Sequence, residues 1–149
     1  MKTESMEVLL VEDNPADAEH TRIVLEDAKV VGGFHIVGDG IEALDFLHHQ
    51  GDFIHAPRPD LILLDLNLPR MDGRELLAEI KASDALKDIP VVILTWSSAQ
   101  EDILRTYQLQ SSAYLTKPVD VDQFLRVAGS VGDYWTANVK RPPEAPSVK

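Results

Sequence analysis

The sequence predicts an α/β fold: a doubly wound, five-stranded parallel sheet of flavodoxin-like order 2-1-3-4-5, with five helices and an extended C-terminal helix and tail. Three observations predict it. Five short apolar runs punctuate the chain, at 8–11, 34–37, 61–64, 91–94 and 113–115. Three of them show no polar alternation, the pattern of strands buried on both faces as in parallel sheets. Helical patterns fill the intervals, so strand and helix alternate and right-handed crossovers follow.

The elements can be justified in order. Val8-Leu9-Leu10-Val11 is the first strand, and Asp13-Asn14-Pro15 after it opens a helix, an Asx residue followed by proline near the first helical position. That helix runs to about Ala28, with Ala18, Thr21, Ile23, Val24 and Leu25 mostly on one side. Phe34 to Val37 is the second strand, and Asp39-Gly40 turns into a helix carrying Ile41, Leu44, Phe46 and Leu47. A longer loop, Gly51 to Pro59, precedes the third strand, Leu61 to Leu64. Asp72-Gly73 starts a third helix with Leu76, Leu77 and Ile80. Val91 to Leu94 is the fourth strand, and the fourth helix spans roughly Ser98 to Gln108. Ala113 to Leu115 is the fifth strand, and the fifth helix begins near Asp120 with Phe124, Leu125, Ala128 and Val131 on its apolar side. The proline-rich end, 140–149, reads as an extended tail.

At 149 residues one domain is expected, and such a chain can bury roughly two thirds of its unfolded surface. Its net charge of −11 argues against nucleic-acid binding through phosphates and against an anionic membrane surface, both of which need a basic face. The absence of cysteine excludes disulfides, thiolate zinc sites and cysteine nucleophiles. The start, MKTESMEVLLVED, has no signal-type apolar region, and no apolar run approaches the ~18 residues of a membrane span. A cytoplasmic protein is expected.

In open parallel sheets, sites form beyond the carboxyl ends of the strands. Just past the first strand stand Glu12 and Asp13, past the third Asp65, past the fourth Thr95, and past the fifth Lys117. Three carboxylates that close together repel and raise one another's pKa values. One lysine and one divalent cation would balance them. All-oxygen ligands favour magnesium, manganese or calcium over zinc, and few protein ligands with several retained waters point to magnesium. A phosphoryl group on Asp65 would complete the set, with the metal, Lys117 and the Thr95 hydroxyl each serving an oxygen. Phosphoryl transfer needs mainly such positioning and charge neutralisation, and Asp65 becomes the nucleophile.

With VLLVED, LLDLNLPRMDG, VILT and YLTKP in this order and spacing, the chain resembles the receiver domain of two-component response regulators over residues 6–128. The resemblance implies that Glu12 and Asp13 hold Mg2+ (Mn2+ as the alternative) together with Asp65 and the backbone carbonyl of Asn67. It implies that Asp65 is the phosphoacceptor, that Thr95 is the switch hydroxyl, and that Lys117 pairs with the phosphoryl group. It makes Tyr114 the switch aromatic and the Lys117–Pro118 peptide a cis bond. The implied activity is signalling, not turnover of a substrate: phosphorylation draws Thr95 inward, Tyr114 follows, and the face of the fourth helix, fifth strand and fifth helix changes shape.

The VEDNPAD start, the longer loop at 51–59 and a fifth helix ending in Gly-Asp-Tyr-Trp resemble a narrower group, the small response regulators partnered with bacterial phytochromes and related histidine kinases. This implies a histidine kinase partner, a phytochrome among the candidates. It also implies a homodimer through the fourth-helix to fifth-helix face and a C-terminal extension, 129–149. Val131, Tyr134, Trp135 and Val139 extend the apolar stripe past the domain, and such a stripe wants another surface. That surface is a second copy or, for Trp135, the chain's own domain. The residue after the switch threonine, usually small in the family, is Trp96. Its indole either shields the phosphoryl position or lies along the surface. Asp17, four residues after Asp13, is either an acid behind the metal ligands or, as the favoured reading, an exposed one.

Two other functions compete. A haloacid-dehalogenase-type phosphatase also uses a strand-end aspartate, a hydroxyl, a lysine and magnesium. It needs a second aspartate two residues after the nucleophile, where this chain has Asn67. A receiver that only scaffolds would lack some of the site residues, and none is missing here.

Overall fold

The computed structural model describes residues 6–28, 31–66, 68, 70–96 and 113–127. In chain order these form β1 (Met6–Val11), α1 (Pro15–Ala28), β2 (Val31–Val37), α2 (Gly40–Leu47), β3 (Leu61–Asp65), α3 (Gly73–Ala82), β4 (Val91–Thr95) and β5 (Ala113–Thr116). Residues 121–127 are helical, and a single 3-10 turn, Gly51–Phe53, lies in the long loop before β3. The strands form one parallel sheet in the order β2-β1-β3-β4-β5, as the sequence predicts. The fourth helix expected at 98–108 lies outside the described residues, as does the fifth helix beyond 127.

Side-chain alternation along the strands divides the core into two layers. Leu9, Val11, Ile62, Leu64, Val91 and Ile93 face α2 and α3, where Phe46, Leu76 and Ile80 meet them. Val8, Leu10, Leu61, Leu63, Val92 and Leu94 face the other way, onto Ala18, Val24 and Leu25 of α1 and onto Phe124. The strands are apolar throughout because both faces are covered.

Each described helix starts on a side-chain cap. Asn14 Oδ1 accepts from the Asp17 N–H at 3.0 Å, and Asp39 Oδ1 from the Glu42 N–H at 2.8 Å. Asp72 and Glu75 form a reciprocal capping box at α3. Asp120 Oδ1 accepts from the Gln123 N–H at 2.7 Å ahead of 121–127. The caps fix where each helix leaves the carboxyl edge of the sheet.

β2 starts at Val31, earlier than the apolar run at Phe34 suggests. The two glycines, Gly32 and Gly33, hid the extra length because they contribute no apolar side chain. Gly33 leaves room for the Glu7 carboxylate, which hydrogen-bonds His35 Nε2 at 2.9 Å across the two strands.

Candidate acidic site at the carboxyl edge of the sheet

The strand register brings the polar residues together. Val11 pairs with Leu64, so Glu12 and Asp65 each stand one step past that pair. Asp65 pairs in turn with Leu94, and Thr95 with Thr116, so Lys117 follows one step later on the next strand. Asp65 continues the Leu61–Leu63 side of β3, the side covered by α1. Thr95 continues the Val91–Ile93 side of β4 and is buried. Tyr114, half-buried, packs against the core layer on that same side.

Glu12, Asp13 and Asp65 each offer an oxygen within 4.8 Å of the others. Lys117 Nζ lies 2.6 Å from Glu12 Oε1, 3.0 Å from Asp65 Oδ2 and 3.2 Å from Asp17 Oδ2. Its backbone N–H donates to the Thr95 carbonyl at 2.8 Å, and its peptide bond to Pro118 is cis.

Charge and burial act against each other here. Burial raises the Glu12 carboxyl to a pKa of about 7, helped by its hydrogen bond to Asp65 and opposed by Lys117. Burial lowers the Lys117 ammonium, but the carboxylates of Glu12 and Asp65 outweigh it, and the net shift is upward. Glu12 Oε1 is buried and, among the described residues, has no donor in hydrogen-bond geometry despite its close ion pair with Lys117. A buried acceptor without an aligned donor, inside a cluster of three carboxylates, fits a hard divalent cation. The residues therefore fit a metal held by Glu12, Asp13 and Asp65. Asn67, expected to add a backbone carbonyl, lies outside the described residues.

Two neighbours for which the sequence leaves alternatives are placed by the structure. Asp17 is not a free surface acid. It sits on the first turn of α1, half-buried, against Lys117. Its spacing of four from Asp13 was the available signal, since it keeps Asp17 in the first turn of α1, close to the end of β1. Trp96 is 59% exposed, yet its ring centroid is 5.8 Å from Lys117 Nζ, within cation–π range. The indole thus stands beside the lysine with its outer part in solvent.

The loop after β3 is fastened from outside. Arg70 adopts a left-handed backbone, φ 65°, and its Nε donates to Asp39 Oδ2 at 2.9 Å. Asp39 therefore caps α2 and anchors this loop with the same carboxylate. No local sequence pattern marks the second role.

The dimer-arm residues Val131, Tyr134, Trp135 and Val139 lie outside the described residues. Among the described residues, no helix is long and apolar enough to cross a membrane.

Residues 8–128 match the model of the response regulator receiver domain. The chain belongs to this family. Response regulator Rcp1 of Synechocystis sp. (strain ATCC 27184 / PCC 6803 / Kazusa) is 42% identical over 135 residues, spanning 91% of this chain and 92% of Rcp1. The crystal structure of the Mn2+-bound form of Rcp1 superposes with a TM-score of 0.72 at 44% identity, covering 90% of this chain and 96% of that one. The phosphorylated cyanobacterial phytochrome response regulator RcpA gives a TM-score of 0.74 at 41% identity, covering 91% of this chain and 96% of RcpA. The bacteriophytochrome response regulator AtBRR gives 0.78 at 41% identity over 85% and 92% of the two chains. This receiver is therefore a homologue of phytochrome-associated response regulators, and its function is two-component signalling.

Proposed function

We propose that this receiver accepts a phosphoryl group on Asp65 from a histidine kinase and signals through a phosphorylation-dependent change in protein binding. The observation that carries the proposal is the contact of Asp65 Oδ2 with Lys117 Nζ at 3.0 Å inside the acidic cluster. An Asp65 carboxylate oxygen forms the new O–P bond. The N–P bond of the kinase's phosphohistidine breaks, and its electron pair returns to the imidazole nitrogen. Lys117 meets the charge that moves onto the phosphoryl oxygens, and its burial makes that interaction stronger than it would be in water. Glu12, Asp13 and Asp65, with the Asn67 carbonyl, would hold Mg2+, whose chemistry here is neutralisation of phosphoryl charge. Rcp1, a homologue, has been crystallised with Mn2+, so manganese is the natural substitute.

The Thr95 hydroxyl then supplies a further donor to the phosphoryl group, and Tyr114, on the same side of the sheet, follows it inward. The receiver occupies 6–128, and 129–149 forms a homodimer arm through Val131, Tyr134, Trp135 and Val139. The names of RcpA and AtBRR support a phytochrome as the partner kinase.

The test is intact mass after incubation with acetyl phosphate, with and without Mg2+, on the wild type and Asp65→Asn. One added phosphoryl group that requires both Mg2+ and Asp65 is expected. An adduct that persists in Asp65→Asn would move the acceptor elsewhere.

A further inference from the structure

Lys117 has three carboxylate partners among the described residues, and they are not equivalent. Glu12 and Asp65 belong to the cluster that fits a divalent cation. Asp17 does not. Its Oδ2 is 3.2 Å from Lys117 Nζ, and it comes from a different element, the first turn of α1. The same helix takes hold of the lysine's loop one turn later, where His20 Nε2 hydrogen-bonds the Val119 carbonyl at 2.8 Å. A helix is stiff over one turn, so these two contacts fix Lys117 from its ammonium end and from its following loop together.

The consequence is electrostatic. Once Glu12, Asp13 and Asp65 are committed to a divalent cation, their charge is largely spent, and the cation repels the lysine ammonium. An ammonium on a flexible four-carbon stem then needs a separate anion to keep it in the site. We propose that Asp17 is a positioning residue for phosphoryl transfer: it is the carboxylate that keeps the Lys117 ammonium aimed at Asp65 when the other three acids are occupied. The role rests on Asp65 being the acceptor, as proposed above. Asp17 touches neither the reacting oxygen nor the phosphoryl group. It acts through Lys117.

The experiment uses the full chain with acetyl phosphate as donor. Initial rates of adduct formation are measured by intact mass at saturating Mg2+ for the wild type, Asp17→Ala and Asp17→Glu. Mg2+ half-saturation is read separately from tryptophan fluorescence, to which Trp96 beside Lys117 contributes. Asp17→Ala is expected to slow adduct formation ~10-fold, the scale of a small misplacement of a charged group. Its Mg2+ half-saturation should stay within about threefold of the wild type, because Asp17 stands outside the metal cluster. Asp17→Glu should recover most of the rate. A wild-type rate in Asp17→Ala overturns the proposal. So does a slower rate matched by an equal loss of Mg2+ binding, or a glutamate variant no faster than the alanine one. Absence of an adduct on the wild type would instead refute the assignment of Asp65, and the role of Asp17 would fall with it.

Discussion

Lys117 Nζ lies 3.0 Å from Asp65 Oδ2, although β5, which Lys117 directly follows, and β3, which Asp65 ends, are not neighbours. β4 runs between them, and the lysine reaches past its end to the carboxylate. The ammonium is shared with Glu12 and Asp17. It is thus the counter-charge of a site that holds an excess of acid even before any phosphoryl group arrives.

Removing that charge has a sign that can be measured. The Lys117 pKa is raised in the fold, so its contribution to stability is fully present below its ordinary value of 10.5 and is lost as pH rises through the folded value. Near neutrality, Lys117→Met removes the counter-charge of the buried carboxylates and should destabilise the metal-free protein by roughly 3 kcal/mol in urea denaturation. The same variant should bind Mg2+ more tightly than the wild type, since one positive charge has left the cluster. Weaker Mg2+ binding would contradict the reading of Lys117 as a competing cation.

Glu12 makes metal binding depend on pH. Its carboxyl is raised from 4.5 to about 7 by burial first and by Asp65 second. Between those two values the folded state retains a proton that the unfolded state has lost, so Glu12's contribution to stability falls as pH rises through that window. A cation must displace the same proton. Apparent Mg2+ affinity should therefore weaken as pH is lowered through about 7. Titrations at a series of pH values across neutrality measure this, and Glu12→Gln should both weaken binding and flatten the profile. A flat profile in the wild type would mean that Glu12 is already ionised.

Gly73 guards the shape of the site through the backbone. An added Cβ would lie 2.5 Å from the Asp65 carbonyl oxygen and 2.7 Å from Leu66 Cα. Alanine gains about 1 kcal/mol over glycine from helix propensity. Here it would meet main-chain atoms that cannot rotate aside, and overpacking of this kind costs about 1–3 kcal/mol. The clash should win. Gly73→Ala is expected to lower the urea midpoint and to slow phosphorylation of Asp65 by acetyl phosphate. A variant more stable than the wild type would show that the start of α3 can shift at little cost.

Much of the fold was legible because parallel strands covered on both faces are apolar at every position. Val8-Leu9-Leu10-Val11, Leu61 to Leu64 and Val91 to Leu94 could hardly be anything else, and the residue ending each run had to fall on the carboxyl edge. β2 was the weakest of these readings, since Gly33 pairs with Glu7 and Gly32 falls at the irregularity before it, neither adding an apolar side chain. Asp39 looked like a turn residue, and its cap on α2 is in keeping with that. Its bond to Arg70 was invisible, because the partner is 31 residues away and reaches it through a left-handed loop.

The sequence by itself determined the alternation of strand and helix, the caps that start the helices, and the acids, hydroxyl and lysine that stand at the strand ends. These depend on local patterning, which a single chain carries in full. Only the tertiary structure decided how the groups interact: that Asp65 lies on the α1 side of the sheet and Thr95 on the other, that Glu12 is buried enough to hold a proton near neutrality, and that Asp17 turns inward to Lys117 while Trp96 stands beside it. Desolvation and Coulomb energy depend on distance and surroundings in space, and residues 52 or 100 positions apart acquire those only when the sheet is assembled.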